Sequence, residues 1–189
     1  MRLLIISHTP HYRKGDTAVG WGSTVREIDQ LATLFAEVVH LAPLHPGAPP
    51  KSALPYQAPN IRLVPVTPAG GEGLAEKIGA LRQVPGWLSA MKAEMRMADA
   101  LHIRCPAGIS IVALLGARLW ARGKPTWVKY AGNWGDYPGQ APSYCWQRRY
   151  LKKNRHHGVV SINGQWPDQP PHIITLYNPS FTEKDSHQA

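Results

Sequence analysis

Short apolar runs recur along the chain, and segments with helical spacing separate most of them. The seven runs are RLLIIS (2–7), EVVHLA (37–42), IRLVPV (61–66), ALHIR (100–104), PTWVKY (125–130), GVVSI (158–162) and HIITLY (172–177). Continuously apolar strands that alternate with helices are typical of a parallel sheet covered on both faces. The pattern therefore predicts an α/β fold, a doubly wound, mostly parallel Rossmann-like sheet with helices on both faces.

Four helical segments are predicted between these strands. They are a helix capped by Ser23 that continues to Phe35, a region from about 74 to 97 interrupted at Pro85-Gly86, a helix from about 109 to 123, and a basic helix over roughly 142–155. The Pro-rich stretch 43–60 is predicted to be a surface loop, because proline cannot serve a central strand.

The chain has 189 residues, which suits one domain with a proper core. We expect a single domain over 1–180, with 181–189 as a polar tail or the start of a linker. No apolar run approaches the roughly 18 residues of a membrane span, and the N-terminus does not read as a signal peptide. Two cysteines are too few for a disulfide framework, so reduced thiols and a cytoplasmic location are expected.

The formal net charge is +9, which favours anionic partners. Basic residues concentrate in the fourth predicted helix, at Arg148, Arg149, Lys152, Lys153 and Arg155. Each basic group near an anionic membrane contributes about 1 kcal/mol, so peripheral attachment to the inner membrane face is one interpretation and a solvated helix face is the other. Nucleic acid is disfavoured, since the aromatic residues do not form a stacking platform and no recognition module is present.

Ligands of such sheets bind beyond the carboxyl ends of the strands, which directs attention to loops 8–22, 104–108, 130–141 and 163–170. In the first loop, Gly20 and Gly22 match two glycines of a dinucleotide fingerprint, but Val25 stands where the third belongs. The two glycines either let a ligand approach the backbone or only relieve a steep turn into the helix.

The loop after the fifth predicted strand reads KYAGNWGDYPG (129–139). Its Asn133, Trp134, Asp136 and Tyr137 form a set that could bind a sugar, with rings stacking on C–H faces and polar groups taking hydroxyls. The alternative is that Trp134 covers the core and Asp136 forms a turn. Arg104, at the end of the fourth predicted strand, either faces an anionic acceptor or pairs with Asp99.

The order of these segments resembles the N-terminal domain of GT-B fold glycosyltransferases of family four. The resemblance rests on MRLLIISH, GWGSTVREIDQLATLF, ADALHIRCPAG, KPTWVKYAGNW, HGVVSINGQ and IITLYNPSF, the last similar to the hinge before the second domain. It spans nearly the whole chain and lies in pattern and order more than in a strict motif.

The resemblance implies an acceptor-side domain that faces a C-terminal donor domain, fused or on a separate chain. The donor domain holds the nucleotide sugar through paired glutamates, and transfer retains the anomeric configuration without an obligatory metal. This chain departs from the pattern in lacking the paired-glutamate motif and in carrying Tyr130-Ala131-Gly132-Asn133 where relatives often have a histidine. No catalytic residue is assigned for this reason, and no cofactor is expected within this chain.

The sequence therefore predicts the acceptor-side half of a glycosyltransferase, acting on a saccharide or lipid-linked acceptor in surface polysaccharide or glycolipid synthesis. We expect this chain alone to be inactive. The alternative is a non-catalytic carbohydrate- or anion-binding module that pairs with a separate donor-half protein. Zinc-ligand spacing, a Gly-x-Ser-x-Gly elbow and a P-loop are all absent from the sequence.

Overall fold

The computed structural model describes residues 1–69, 74–167 and 169–176. Within these ranges the elements are β1 (Arg2–Ile6), β2 (His11–Lys14), β3 (Thr17–Trp21), α1 (Gly22–Ala32), β4 (Glu37–Pro43), β5 (Ala53–Pro55), β6 (Ile61–Val66), α2 (Leu74–Met97), β7 (Ala100–Cys105), α3 (Gly108–Trp120), β8 (Thr126–Tyr130), α4 (Pro142–Lys152), β9 (Val159–Asn163) and β10 (Ile173–Leu176). The predicted hinge at Asn178-Pro179 and the predicted tail lie outside the described residues.

The main sheet has seven parallel strands in the order β10-β9-β8-β7-β1-β4-β6. From β1 the chain adds strands on one side, and from β7 it adds them on the other side. The direction of winding therefore reverses between β1 and β7, which makes this the topological switch point of the sheet. The predicted doubly wound, mostly parallel α/β fold is confirmed.

The two faces of the sheet differ in their cover. Helices α2, α3 and α4 bury one face in a large apolar core, in which Leu4, Ile103 and Val128 of the sheet meet Met91 and Leu114 of the helices. Helix α1 covers the opposite face, where a smaller apolar cluster is built from the residues Leu3, Ile5, Val38, Ile28, Ala32 and Ala100. This arrangement follows from right-handed crossovers, which place a helix on opposite faces when the winding direction reverses.

A second, three-stranded antiparallel sheet in the order β2-β3-β5 corrects two predictions. Loop 8–22 contains the β2–β3 hairpin, and the Pro-rich stretch 43–60 contains β5. Strand β5 tolerates its proline because it pairs with β3 alone, so Pro55 lies at an edge where a missing N–H costs little.

Two helices also differ from the prediction. Helix α1 begins at Gly22 with Trp21 as its N-cap, and no side chain caps it, so Ser23 lies inside the first turn. Helix α2 continues through Pro85 from Leu74 to Met97. Burial of Trp87, Met91 and Met95 against the sheet holds this helix, since packing of one face contributes more to helix stability than propensity does.

No helix in the described part of the chain is both long and apolar enough to cross a membrane.

Candidate functional site

A pocket of about 390 Å³ opens at the switch point of the main sheet. The loop after β1 supplies His8 and Pro10, and the turn into α3 supplies Ala107, Gly108 and Ile109. These two loops leave β1 and β7, the adjacent strands between which the winding reverses. We call this cavity the switch-point pocket. Its position is the one at which open α/β sheets bind ligands.

The remaining walls come from the hairpin, from α2 and from the ends of β4 and β6. They are Tyr12, Pro43, His45, Val66, Thr67, Ala69 and Trp87. The Tyr12 and His45 rings lie 5.6 Å apart, and Trp87 is held by a hydrogen bond from its indole N–H to the Thr67 carbonyl. Within the described part of the chain no Asp or Glu lines this pocket, and its two imidazole side chains are those of His8 and His45.

Directly below the pocket wall, a closed ring of hydrogen bonds fixes the loop after β1. The Thr9 amide N–H donates to Ser7 Oγ at 3.1 Å, and Ser7 Oγ lies 2.7 Å from His40 Nε2. The Tyr56 hydroxyl lies 2.5 Å from His40 Nδ1 and 2.8 Å from His11 Nε2. His11 Nδ1 lies 2.9 Å from the Thr9 carbonyl oxygen, which closes the ring.

The chemistry of the groups sets every proton in this hydrogen-bonded ring. The Thr9 carbonyl can only accept, so a neutral His11 carries its proton on Nδ1 and accepts from the Tyr56 hydroxyl at Nε2. The Tyr56 oxygen then accepts from Nδ1–H of His40, whose Nε2 accepts from Ser7. Both histidines are therefore neutral Nδ1–H tautomers, and the ring holds only as long as they stay neutral.

The pKa values of these histidines agree with that assignment. Burial lowers the pKa of His11 to about 4, although its bond to the Thr9 carbonyl acts in the opposite direction. Burial, and then the proximity of His11, lowers the pKa of His40 well below its ordinary value. His8 is an exposed residue, and desolvation at the pocket, followed by the positive charge of Arg104, lowers its pKa and favours the neutral imidazole.

A compact ionic cluster lies beside the ring, between α1 and the sheet. Glu27 of α1 receives hydrogen bonds from Arg104 of β7 and from Lys129 of β8, each at 2.9 Å. Burial alone would raise the pKa of Glu27, but the charges and hydrogen bonds of the two cations outweigh it and hold this pKa below its ordinary value. The cluster keeps a net charge of +1 near the carboxyl ends of the strands.

Arg104 does not pair with Asp99 as one of its two predicted roles required, whereas its contact with an anionic acceptor stays a prediction. Its ion pair is with Glu27, and Asp99 instead accepts a hydrogen bond from the backbone amide of Arg2. The pairing with Asp99 is wrong because Arg104 lies near the carboxyl end of β7, whereas Asp99 precedes its start.

Gly20 and Gly22 are explained by close packing. A Cβ on Gly20 would lie 2.6 Å from Nε2 of His11, and a Cβ on Gly22 would lie 2.7 Å from the Ser52 carbonyl oxygen. Both glycines are buried, and neither lines the switch-point pocket. Gly20 contributes indirectly, because it leaves room for the His11 ring in the hydrogen-bonded ring.

Trp134 is predicted to stack on a sugar, but this prediction is wrong because its side chain is buried. Its side chain is only 3% exposed and packs edge-to-face on Tyr130, with ring centroids 5.1 Å apart. The ring is a core residue because the loop after β8 folds over the apolar face of the sheet. The other residues of the predicted set remain at the surface, with Asn133 bonded to the Gly135 amide and Tyr137 44% exposed.

Arg148 is predicted to contact a membrane or anion at the surface, but its side chain is buried. Its guanidinium is 3% exposed and bonds to the Asp136 carboxylate and to the side-chain oxygen of Gln140, which ties loop 131–141 to α4. The other predicted membrane contacts are exposed, and they are Arg149, Lys152, Lys153 and Arg155. Lys152 Nζ lies 5.9 Å from the centroid of the Trp134 ring.

In the residues that the structure describes, no group of three His, Cys, Asp or Glu side chains could hold a metal ion. Sequence reasoning had included the loops after β1 and β7 but had missed His45, Thr67 and Trp87 as pocket walls. The signal for His45 and Thr67 was available, because loops 43–45 and 67–69 also follow strands of the same parallel sheet, whereas Trp87 lies in α2 and had no such signal.

The fold and the pocket together define a Rossmann-like α/β domain with a pocket at its switch point. No family model matches the chain, and no curated protein matches it. Among solved structures, the chain is similar to MurG of Acinetobacter baumannii, with 16% sequence identity and a TM-score of 0.46. The alignment covers 90% of this chain and 42% of that chain, so this chain spans less than half of that protein's length. A likeness at this level carries no argument about activity.

Proposed function

We propose that this chain is the acceptor-side half of a glycosyltransferase, which moves a sugar from a nucleotide-sugar donor to a saccharide or lipid-linked acceptor in surface polysaccharide or glycolipid synthesis. The observation that carries the proposal is the switch-point pocket. Its volume lies at the lower end of the range for small-molecule sites, and its walls combine apolar rings with a few polar groups. Sugars are bound by this combination of surfaces.

His8 is the residue that we assign to proton transfer at this site. In the proposed reaction the acceptor hydroxyl attacks the anomeric carbon of the donor, the bond from that carbon to the phosphate oxygen breaks, and the hydroxyl proton passes to His8 Nδ1 or Nε2. A neutral imidazole is required to take the proton, and the lowered pKa of His8 provides it. The nucleotide leaves with the electron pair and is held by the donor domain.

The test is an NMR titration of the isotope-labelled chain with neutral disaccharides. Shifts should concentrate at the amides of His8, Tyr12 and Gly108, and His8→Gln should leave binding within about twofold. His157→Gln is the matched control, because His157 is exposed in the turn after α4. Absence of shifts at these three amides with every disaccharide tried would refute a saccharide site in this pocket.

Turnover is tested after a donor-half protein has been added. The chain alone should transfer no sugar, whereas the pair should, and His8→Gln should lower kcat of the pair by about 10²-fold or more. The alternative, a non-catalytic carbohydrate-binding module, is favoured if saccharides bind the pocket but His8→Gln leaves the turnover of the pair unchanged.

We also propose that the face formed by α3 and α4 contacts an anionic membrane. Six exposed basic residues lie on or just after these two helices, and they are Arg118, Arg122, Arg149, Lys152, Lys153 and Arg155. Leu115 and Leu119 of α3 and Trp146 of α4 are exposed apolar side chains on the same two helices, at 47%, 73% and 38%. Basic groups around exposed apolar side chains suit the inner membrane face, where anionic lipids concentrate.

Co-sedimentation with vesicles tests this contact. Binding should be stronger to vesicles with phosphatidylglycerol than to pure phosphatidylcholine, should fall with salt, and should weaken about tenfold in the Leu115→Ser, Leu119→Ser variant. Leu34→Ser is the control, since Leu34 is 74% exposed but follows α1 on the other face of the sheet. Equal binding to both kinds of vesicle would refute the proposal.

A further inference from the structure

A second cavity of about 580 Å³ adjoins the switch-point pocket. We call it the outer groove. It is lined by Arg13, Leu44, His45, Pro46, Gly47, Pro65, Val66, Thr67 and Pro68. Three of these residues, His45, Val66 and Thr67, also line the switch-point pocket. Because the two cavities share these residues, they lie side by side along the carboxyl ends of β4 and β6.

The walls of the outer groove are fixed by backbone hydrogen bonds. The Leu44 amide donates to the Val66 carbonyl at 3.0 Å, which joins the ends of β4 and β6. The His45 amide donates to the His11 carbonyl at 2.7 Å, which joins the same loop to the hairpin that carries Arg13. Pro46, Pro65 and Pro68 restrict the backbone further. A groove built in this way is largely formed before a ligand arrives, and binding then costs little ordering.

The outer groove and the switch-point pocket differ in the charge of the side chains that line them. Arg13 lies in the outer groove and His8 in the switch-point pocket, and within the described residues no Asp or Glu lines either cavity. An arginine beside a groove without acidic side chains attracts a carboxylate or phosphate on the ligand, since its planar guanidinium bonds to two oxygens at once.

We propose that the acceptor is an acidic saccharide of at least two units. Its reacting sugar occupies the switch-point pocket, and its anionic group lies beside Arg13 in the outer groove. This inference rests on the proposed function, because it assigns a substrate class to the same site. It makes Arg13 a residue that determines specificity and not one that takes part in proton transfer.

The experiment compares neutral disaccharides with their counterparts that carry a uronate carboxylate or a phosphate monoester on the second ring. Kd is measured by NMR titration of the wild-type chain, of Arg13→Gln and of Lys14→Gln. Lys14 is the matched control, because it is the next residue of β2, is exposed, and does not line either cavity. Successive side chains of a strand point to opposite sides.

The acidic disaccharides should bind about fivefold more tightly than the neutral ones at low salt, as expected for an exposed ion pair. Arg13→Gln should remove this preference, Lys14→Gln should keep it, and added salt should reduce it. Whichever acidic disaccharide, the uronate or the phosphate monoester, shows the larger preference over its neutral counterpart identifies the natural anionic group.

The outcomes separate this inference from the proposed function. If saccharides shift the amides of His8 and Gly108 but acidic and neutral forms bind equally, the acidic acceptor is refuted and the proposed function stands. An equal preference in Arg13→Gln also refutes it. If no disaccharide shifts the amides of either cavity, both proposals fail.

Discussion

Lowering the pH from 6.5 to 4 should remove about 3 kcal/mol or more from the free energy of unfolding. The perturbation acts on the hydrogen-bonded ring. If His11 or His40 takes up a proton, the new imidazole N–H faces a hydroxyl that already donates to that nitrogen. The hydrogen bond between them is then lost, and the hydrogen-bonded ring is broken. Both imidazoles are fully buried, so water cannot solvate the added charge.

The sign follows from the direction of the pKa shift. Burial lowers the pKa of His11 to about 4 from an ordinary 6.5, so below pH 6.5 the unfolded chain binds a proton that the folded chain excludes. The stabilisation is complete above pH 6.5 and is lost as the pH falls through 4. A difference of about 2.5 pKa units corresponds to about 3 kcal/mol at 1.36 kcal/mol per unit. His102, whose pKa burial lowers to about 3, acts in the same direction.

The assay is chemical denaturation followed by tryptophan fluorescence at pH 7, 6, 5 and 4. Tyr56→Phe is the decisive variant, because it removes the hydroxyl that joins the two histidines and leaves a buried donor and a buried acceptor without partners. We expect it to cost about 3 kcal/mol at pH 7. Tyr12→Phe is the control, since no hydrogen bond of the Tyr12 hydroxyl is found in the described part of the chain.

Nitrogen chemical shifts of the imidazoles test the proton positions directly. His11 and His40 should both appear as neutral Nδ1–H tautomers at pH 7 and should not titrate near 6.5. A free energy of unfolding that stays flat between pH 6.5 and 4, or a His40 ring that carries its proton on Nε2, would refute the reasoning about the ring.

Three further predictions concern other buried contacts. Glu27→Gln should cost about 3 kcal/mol in denaturant titrations, because it removes the carboxylate charge to which both Arg104 and Lys129 are bonded; a variant as stable as the wild type would contradict this. Gly158→Ala should lower Tm by several degrees in calorimetry, since a Cβ there would lie 2.0 Å from the Thr126 carbonyl oxygen, and an unchanged Tm would count against that packing. Arg148→Met should release Asp136 and raise amide hydrogen exchange in loop 131–141, whereas unaltered protection would show that the loop is held otherwise.

The main sheet could be predicted from the sequence because its strands are short, apolar and spaced by helices. The small sheet could not, since β2 reads His-Tyr-Arg-Lys and β5 contains a proline. Neither segment has an apolar face long enough to show a strand period. Their pairing is set by tertiary contacts, in particular by the burial of His11 beside Gly20.

The position of the site could be predicted, but several of its residues could not. The rule that ligands bind beyond the carboxyl ends of parallel strands selected the edge of the sheet at which the switch-point pocket opens. It could not say that Trp134 turns into the core or that Arg148 turns inward while Arg149 stays exposed. The helical phase gives a partial signal, because Arg148 lies three residues before Leu151, which is buried, and so shares its face.

The strands of the main sheet carry a layer of buried polar side chains, although most of their residues are apolar. His40 and His102 align with Ile5 in the register, and Arg104 aligns with Lys129, so these side chains share the face covered by α1. The opposite face carries apolar residues at the same depth, among them Leu4, Leu41 and Ile103. Because hydrogen-bonded polar groups fix one arrangement more strictly than apolar packing does, the bonds that join Ser7, His40 and Tyr56 hold the loop after β1 in place. That loop carries His8, so the buried polar layer and the pocket wall form one structural unit.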